Sequence, residues 1–234
     1  MIASQQVSKY SPRAMLPAVL SLIAGSVDAI SFLGLGGLFT AHVTGNLVVL
    51  VAHLATGSGA SVASILSLPV FVAALGLTRL LADALERIGV APLRPLLLLQ
   101  LLLIVGFLAL GASAGARADP HATRAILAGM FGVSAMAVQN ALVQISLKGM
   151  PSTAVMTTNV THFVMDIGEV AFGRTQSGVA KARARAMLTW PAIAGFAIGC
   201  ALGATCETAI GLKSVALPVG LAVLAVAYGD ERHY

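Results

Sequence analysis

The stretch "AHVTGNLVVLVAHL", Ala41 to Leu54, combines the features that decide the fold. It is apolar enough to enter a lipid bilayer, yet polar side chains interrupt it, including the threonine and asparagine on either side of Gly45. Glycine destabilises a helix interior, whereas threonine and asparagine favour a helix start. The pattern therefore predicts an apolar segment whose helix is broken near Gly45, inside the membrane.

The whole chain has the composition of a membrane protein. Of its 234 residues, 58% are hydrophobic and 10% are charged, against about 25% charged in soluble domains. A membrane-spanning helix needs about 20 mostly apolar residues, and eight apolar segments are recognisable: 14–34, 38–56, 63–85, 93–115, 122–147, 153–172, 186–206 and 208–228. We therefore expect an all-α, polytopic membrane protein with a single transmembrane domain over residues 1–234. The basic residues lie in short loops, which is typical of cytoplasmic loops and not of a nucleic-acid interface.

The apolar segments repeat along the chain. Aligning Thr44 on Thr157 places Asn46 on Asn159, and the preceding segments, "VDAISFL" and "QNALVQI", then match with Asp28 opposite Asn140. This similarity predicts two structural repeats, at about 14–115 and 122–228.

The distribution of Lys and Arg indicates how these repeats cross the membrane. If all eight segments span, nine of the fourteen basic residues are cytoplasmic. If 38–56 and 153–172 each enter and leave on one side, eleven are cytoplasmic, including Lys9, and three are external, Arg117, Arg124 and Lys213. The positive-inside rule favours the second arrangement. It predicts two inverted repeats of three spans each, with one re-entrant or broken segment per repeat and a cytoplasmic N-terminus; eight full spans are the alternative.

Polar groups in the two broken segments predict a solute path between the repeats. Non-helical backbone at membrane depth is tolerated only where it is buried in protein or lines a watery cavity. The expected path residues are Asp28, Thr44, Gly45, Asn46, Asn140, Thr157 and Asn159. A carboxylate in the middle of a span normally has a functional partner or cavity. Asp28 is therefore either a proton or cation site, or a structural carboxylate bonded to backbone N–H groups of the neighbouring break.

Further titratable residues lie in the sixth segment. His162 and Asp166 are four residues apart and share a helix face, so together with Asp28 they are candidates for charge coupling. Two ligands are too few for a closed metal site, so no metal is expected, and no cofactor motif is present. Glu169 is interpreted as a solvated residue, and His42 and His53 as hydrogen-bonded groups near the membrane surface.

The segment "GSVDAISFLGLGGLFTAHVTGN", Gly25 to Asn46, resembles the YoaK-like family of bacterial integral membrane proteins of unknown function. A second element is recognisable in "QNALVQ" and "TAVMTTNVT", between Gln139 and Thr161. The resemblance implies a bacterial inner-membrane location and about six spans, and it implies no established substrate or reaction. The family usually has a "TG" pair in the second half, where this chain has Thr157-Thr158.

These features favour a small-solute transporter or channel. The alternatives are a membrane enzyme acting on a lipid-like or quinone substrate, and a non-catalytic membrane subunit. A transporter needs both breaks, an enzyme needs one cluster of titratable residues, and a subunit needs neither. The expected partners are the lipid bilayer and an unknown small solute. A homo-oligomer is also an open option, since small inverted-repeat proteins often form dimers.

Overall fold

The computed structural model describes residues 12–57, 61–113 and 119–229, and within these ranges the chain forms helices and no strands. Lys9, Arg117 and Arg232, which contribute to the charge count above, lie outside the described residues. The helices are α1 (Pro12–Gly34), α2 (Val43–Thr56), α3 (Val62–Arg87), α4 (Leu93–Ser113), α5 (Thr123–Ser146), α6 (Met156–Phe172), α7 (Gln176–Ile210) and α8 (Ala216–Tyr228), with a short 3-10 helix, Gly211–Val215, between the last two.

Five helical stretches in the described ranges are long and apolar enough to cross a bilayer. Four of them are α1, α3, α4 and α5, and the fifth, Gln176–Tyr228, contains both α7 and α8. By contrast, α2 has 14 residues and α6 has 17. The prediction of a helical membrane-embedded protein is confirmed, and the two segments predicted to be broken are the two short helices that precede α3 and α7.

Helices α1 and α7 run parallel and are in backbone contact. Three glycines, Gly195, Gly199 and Gly203, lie one helical turn apart on α7. A Cβ atom added at these positions would lie 2.6, 2.3 and 2.6 Å from the backbone oxygens of Ala18, Leu22 and Ser26, respectively. Both series ascend in steps of four, so the helices point the same way. Small residues at this spacing allow helices in membranes to approach closely.

Helices α1 and α5 run in opposite directions. The Gln139 side chain donates to the backbone oxygen of Leu20, early in α1. A Cβ at Gly129, earlier in α5, would meet Leu38, which lies beyond the end of α1. The later part of α5 therefore packs on the earlier part of α1, as antiparallel helices do.

The order of the contacting residues along each helix likewise shows that α4 is antiparallel to both α5 and α8. Residues early in α4 contact residues late in α5 and at the end of α8, and residues later in α4 contact earlier positions of both. The contact pairs with α5 are Gln100–Gln139 and Phe107–Gly132. The pairs that flank α8 are Leu97–Gly229, directly after α8, and Gly111–Leu212, in the 3-10 helix before it. Since α4 and α7 both run with α1, the chain reverses direction at the 3-10 helix, where Gly211 has a φ of 62°.

The pattern of helix contacts is itself repeated. The predicted repeat pairs each helix from α1 to α4 with the helix four places later, from α5 to α8. When every helix is replaced by the helix paired with it, the α1–α7 contact becomes α5–α3, which is also present. In the same way, α4–α5 becomes α8–α1, and α6–α7 becomes α2–α3. The α1–α5 and α4–α8 pairs are each exchanged with themselves. The described α-helices thus include matching pairs of packed neighbours.

Two predicted boundaries were wrong. The segment predicted to begin at residue 186 begins ten residues earlier, because α7 starts at Gln176, where the Thr175 hydroxyl accepts from the Gly178 N–H. Most of the basic stretch 173–185, between two predicted segments, is therefore helical. Its alanines, lysine and arginines are strong helix formers. The break in the second segment also lies earlier than Gly45: residues 35–42 are non-helical, and Thr44 and Gly45 belong to the first turn of α2.

Candidate functional site

Asn46 fastens the non-helical linker 35–42 to the start of α2. Its Oδ1 accepts from the Phe39 N–H at 2.9 Å, and its Nδ2 donates to the Phe39 oxygen at 2.8 Å. Asn46 is fully buried. Backbone groups at membrane depth have no water to bond, so they need a partner within the protein. The asparagine of the "TGN" stretch supplies that partner with both ends of its amide.

Asn159 repeats this interaction in the second half. Its Nδ2 donates at 2.6 Å to the oxygen of Ser152, which, like Phe39 before Asn46, lies seven residues earlier. Ser152 lies in the second linker, residues 147–155 between α5 and α6. Its neighbour Thr153 accepts from the Gln139 side chain in α5 at 2.9 Å, so this linker also folds back against the helix before it. The alignment of Asn46 with Asn159 therefore corresponds to equivalent local structure.

Gly45 of "TGN" corresponds to Thr158 of "TTN". This difference follows from the linker residue that packs on the first turn of each helix. A Cβ at Gly45 would lie 3.2 Å from the Phe39 ring. In the second half the positions equivalent to Phe39 and Gly45 are Ser152 and Thr158. A smaller linker residue leaves room for a larger residue on the helix, so the departure from the "TG" pair is compatible with the same turn.

Asp28 joins α1 to the first linker. Its Oδ1 accepts from the backbone N–H groups of Thr40 at 2.7 Å and Ala41 at 2.6 Å, and from the Thr40 hydroxyl at 3.2 Å. This is the contact expected of a structural carboxylate beside a broken helix. Asp28 lies six residues before the end of α1, about 9 Å along the helix axis. The linker thus returns well inside the depth that α1 spans.

The second carboxylate oxygen of Asp28 contacts His42, with 2.6 Å between Oδ2 and Nδ1. A carboxylate only accepts hydrogen bonds, so Nδ1 carries a proton and Nε2 is the free ring nitrogen. The Asp28 side chain is 5% exposed and that of His42 is 38% exposed. The pair therefore presents the histidine ring outward and holds the carboxylate behind it. The sequence predicts a hydrogen-bonded His42 near the surface, and its partner is Asp28.

Both residues line a cavity of about 650 Å³ bounded by α1, α7 and the start of α2. A row of rings forms part of its lining, with centroid separations of 4.7 Å for Phe32–Phe39, 6.4 Å for Phe39–His42 and 5.3 Å for His42–Phe196. Thr44 and Gly45 also line it, as do Cys200 and Ala204 from α7. We call it the first cavity. It is an apolar, aromatic space with one acidic pair at its wall.

A second cavity, of about 540 Å³, lies beside the second linker, α6 and α7. Its lining includes Asn159, His162 and Asp166, together with Arg185 and Thr189 of α7. Asp166 is almost fully buried, and its Oδ1 accepts from Arg185 Nε at 2.9 Å and Nη2 at 2.5 Å. His162 and Asp166 share a helix face as expected, but the hydrogen bonds of Asp166 go to Arg185.

The predicted path residues thus fall into separate groups. Asp28, Thr44 and Gly45 line the first cavity, whereas Asn159 lines the second, together with the charge-coupling candidates His162 and Asp166. The other three lie elsewhere: Asn46 is buried beneath the first linker, Asn140 lines a smaller cavity and donates to the Met136 oxygen, and Thr157 is exposed on α6. A path that joins these groups stays a prediction.

Sequence reasoning missed the residues that α7 and the linker bring to Asp28. His42 could have been found, since any return of the linker to Asp28 brings a residue just before Thr44 close to the carboxylate. Phe196 and Cys200 gave no such signal, because their position depends on the glycine contacts between α1 and α7. The half-equivalents of Asp28 and His42 are Asn140 and Val155. The second half therefore has no Asp–His pair at the positions equivalent to Asp28 and His42.

Within residues 12–57, 61–113 and 119–229, no group of three or more His, Cys, Asp or Glu side chains is placed to hold a metal ion. No curated protein and no solved structure matches the chain. A family model described as "Protein of unknown function (DUF1275)" matches residues 16–228, which is most of the chain. The protein, whose long apolar helices are typical of a helical membrane protein, is therefore a member of the uncharacterised DUF1275 family.

Proposed function

We propose that the chain forms two inverted repeats, each with three membrane spans and one re-entrant segment. The antiparallel directions of α1 and α5, and of α4 and α8, support this arrangement. Eight successive spans would make the members of each pair parallel, because four crossings separate them.

The return of each linker to its preceding helix also supports re-entrant segments. The first linker bonds Asp28, and the second bonds Gln139, seven residues or about 10 Å before the end of α5. A linker that returns to this depth, followed by a short helix, enters and leaves on one side. Unwound segments of this kind are typical of substrate sites in secondary transporters.

Within this frame, the protein is a small-solute transporter of the bacterial inner membrane, with its solute site in the first cavity. The observation that carries the proposal is the Asp28–His42 pair, held by the first linker against a cavity of about 650 Å³. Ionisable residues at membrane depth are costly and usually mark a solute or proton pathway. The second cavity, beside the opposite linker, provides the access route from the other side.

Flux into proteoliposomes, measured with a panel of small solutes, tests this function. Asp28→Asn and His42→Gln in the first cavity, and Asp166→Asn in the second, should each reduce flux of the transported solute. Asp83→Asn is the matched control, since Asp83 pairs with Arg79 on an exposed face of α3. Flux that survives all three cavity substitutions at the parent rate would contradict the proposal.

One observation favours the alternative of an enzyme acting on a lipid-like substrate. Phe32 and Leu33 line the first cavity and are 40% and 50% exposed, so the cavity borders a surface that faces the bilayer. An enzyme would depend on Asp28 and His42 and would tolerate Asp166→Asn, because the second cavity takes no part in the reaction. A non-catalytic subunit would tolerate all three substitutions. The same variants, assayed for flux and for turnover of quinone or lipid substrates, therefore separate the three functions.

A further inference from the structure

We propose that the first cavity binds a lipophilic monocation, and that a proton on His42 competes with it. This inference deepens the proposed function by naming the chemical class of the solute. It follows from the charge, the rings and the surroundings of the cavity.

The charge of the cavity comes from Asp28. The described residues that line it include no lysine or arginine, and its titratable members are Asp28, His42 and Cys200. With a neutral histidine, the ionised pair carries one negative charge. Oδ1 already accepts three hydrogen bonds. Among the described residues, only His42 is bonded to Oδ2, which has a second lone pair. A cation near Oδ2 would meet an uncompensated charge in a poorly solvated space.

The aromatic lining suits a cation that carries apolar groups. Phe32, Phe39 and Phe196 line the cavity, and cations are attracted to the faces of such rings within about 6 Å of the centroid. A strongly hydrated inorganic ion would lose its water ligands on entering the cavity. Few polar groups surround the Asp28–His42 pair, so the protein would not replace those ligands. A lipophilic cation loses little hydration and fills the space, whose volume is in the range of small-molecule sites.

Competition with a proton follows from the geometry of His42. Its Nδ1 faces Asp28, so further protonation takes place at Nε2 and makes the pair neutral overall. The charged and titratable groups around it are Asp28 from α1 and Cys200 from α7; the described part of α2 that lines the cavity adds only Thr44 and Gly45. Binding of a cation should therefore release a proton from His42. Affinity should therefore fall as the pH is lowered and His42 becomes protonated.

Equilibrium dialysis of the full chain in nanodiscs tests the inference, with empty nanodiscs subtracted. The probes are tetraphenylphosphonium and tetraphenylborate, which have nearly the same shape and opposite charges. We expect the phosphonium to bind at least about tenfold more tightly than the borate at pH 8, and Asp28→Asn to abolish that preference. Asp83→Asn should retain it. Phe196→Leu, which keeps an apolar side chain, should weaken phosphonium binding by about threefold or more.

The pH dependence supplies an independent measurement. In the parent, phosphonium affinity should drop between pH 8 and pH 5, and His42→Gln, which keeps a donor near Asp28, should flatten that profile. Equal affinity for the two probes, or a preference that survives Asp28→Asn, would overturn the inference. If Asp28→Asn does not fold, the two probes on the parent and on Phe196→Leu still decide.

The outcome for the ligand is distinguishable from the outcome for transport. Saturable, charge-selective binding without flux would refute the transporter and leave the cation site standing. Flux of neutral or anionic solutes without phosphonium binding would refute the cation site and leave the transporter standing.

Discussion

Replacing Asn46 by alanine should destabilise the protein strongly, because it removes both hydrogen bonds to Phe39. The N–H and the oxygen of the half-buried Phe39 would each lose their present partner, the fully buried Asn46 amide. A buried polar group without a partner costs about 1–3 kcal/mol, so the loss is about 2–6 kcal/mol. For a chain of this size, 1 kcal/mol corresponds to about 2–4 °C in Tm, and we expect a decrease of about 4–24 °C.

The matched substitutions are Asn159→Ala and Asn140→Ala. Asn159 makes one of the two equivalent backbone bonds, so its loss should cost about 1–3 kcal/mol. Asn140 donates within its own helix, to an oxygen four residues earlier, and its replacement should cost less than about 0.5 kcal/mol. Thermal unfolding of the purified variants in one detergent measures all three. A Tm for Asn46→Ala within 2 °C of that for Asn140→Ala would refute the account of the linker.

Other substitutions test other parts of the fold by the same thermal measurement. Gly199→Ala should destabilise the protein by about 1–3 kcal/mol, since the added Cβ would lie 2.3 Å from the Leu22 oxygen. Gly76 has open space around it, so Gly76→Ala should be neutral or slightly stabilising. Equal Tm values for the two variants would contradict the contact between α1 and α7. Gln139→Leu should cost about 2–5 kcal/mol, because it removes three buried hydrogen bonds: with Gln100 of α4, with the Leu20 oxygen of α1 and with Thr153 of the second linker. A parent-like Tm would show that other contacts hold these segments together.

The similar local structure of the two linkers could be predicted from the sequence because it depends on nearby residues. The asparagines at 46 and 159 each bond a backbone group seven residues earlier, and this requirement leaves a recognisable pattern in both halves. The membrane location follows from apolar content alone. The alignment also places Ser152 opposite Phe39 and Thr158 opposite Gly45. Once the contact between Phe39 and Gly45 is known, these paired differences in size can be understood from the sequence.

The site itself could be predicted only in part. Asp28 was identified because a carboxylate in an apolar segment is costly, but its partner depends on how far the linker folds back. Phe196, Cys200 and Arg185 all lie on α7, whose position is set by tertiary contacts between small residues. Hydropathy and spacing do not specify which faces of distant helices meet, so the division of the predicted path into two cavities could not be foreseen.

Side-specific labelling of single cysteines tests the re-entrant arrangement most directly. In a background with Cys200 and Cys206 replaced by alanine, a cysteine at Ser61 marks the start of α3. Reference cysteines at Lys213 and Thr175 mark opposite sides of the membrane in both topologies. We predict that a membrane-impermeant maleimide labels position 61 from the same side as position 213. Labelling of position 61 from the side of position 175 would contradict the account, since α2 would then cross the bilayer.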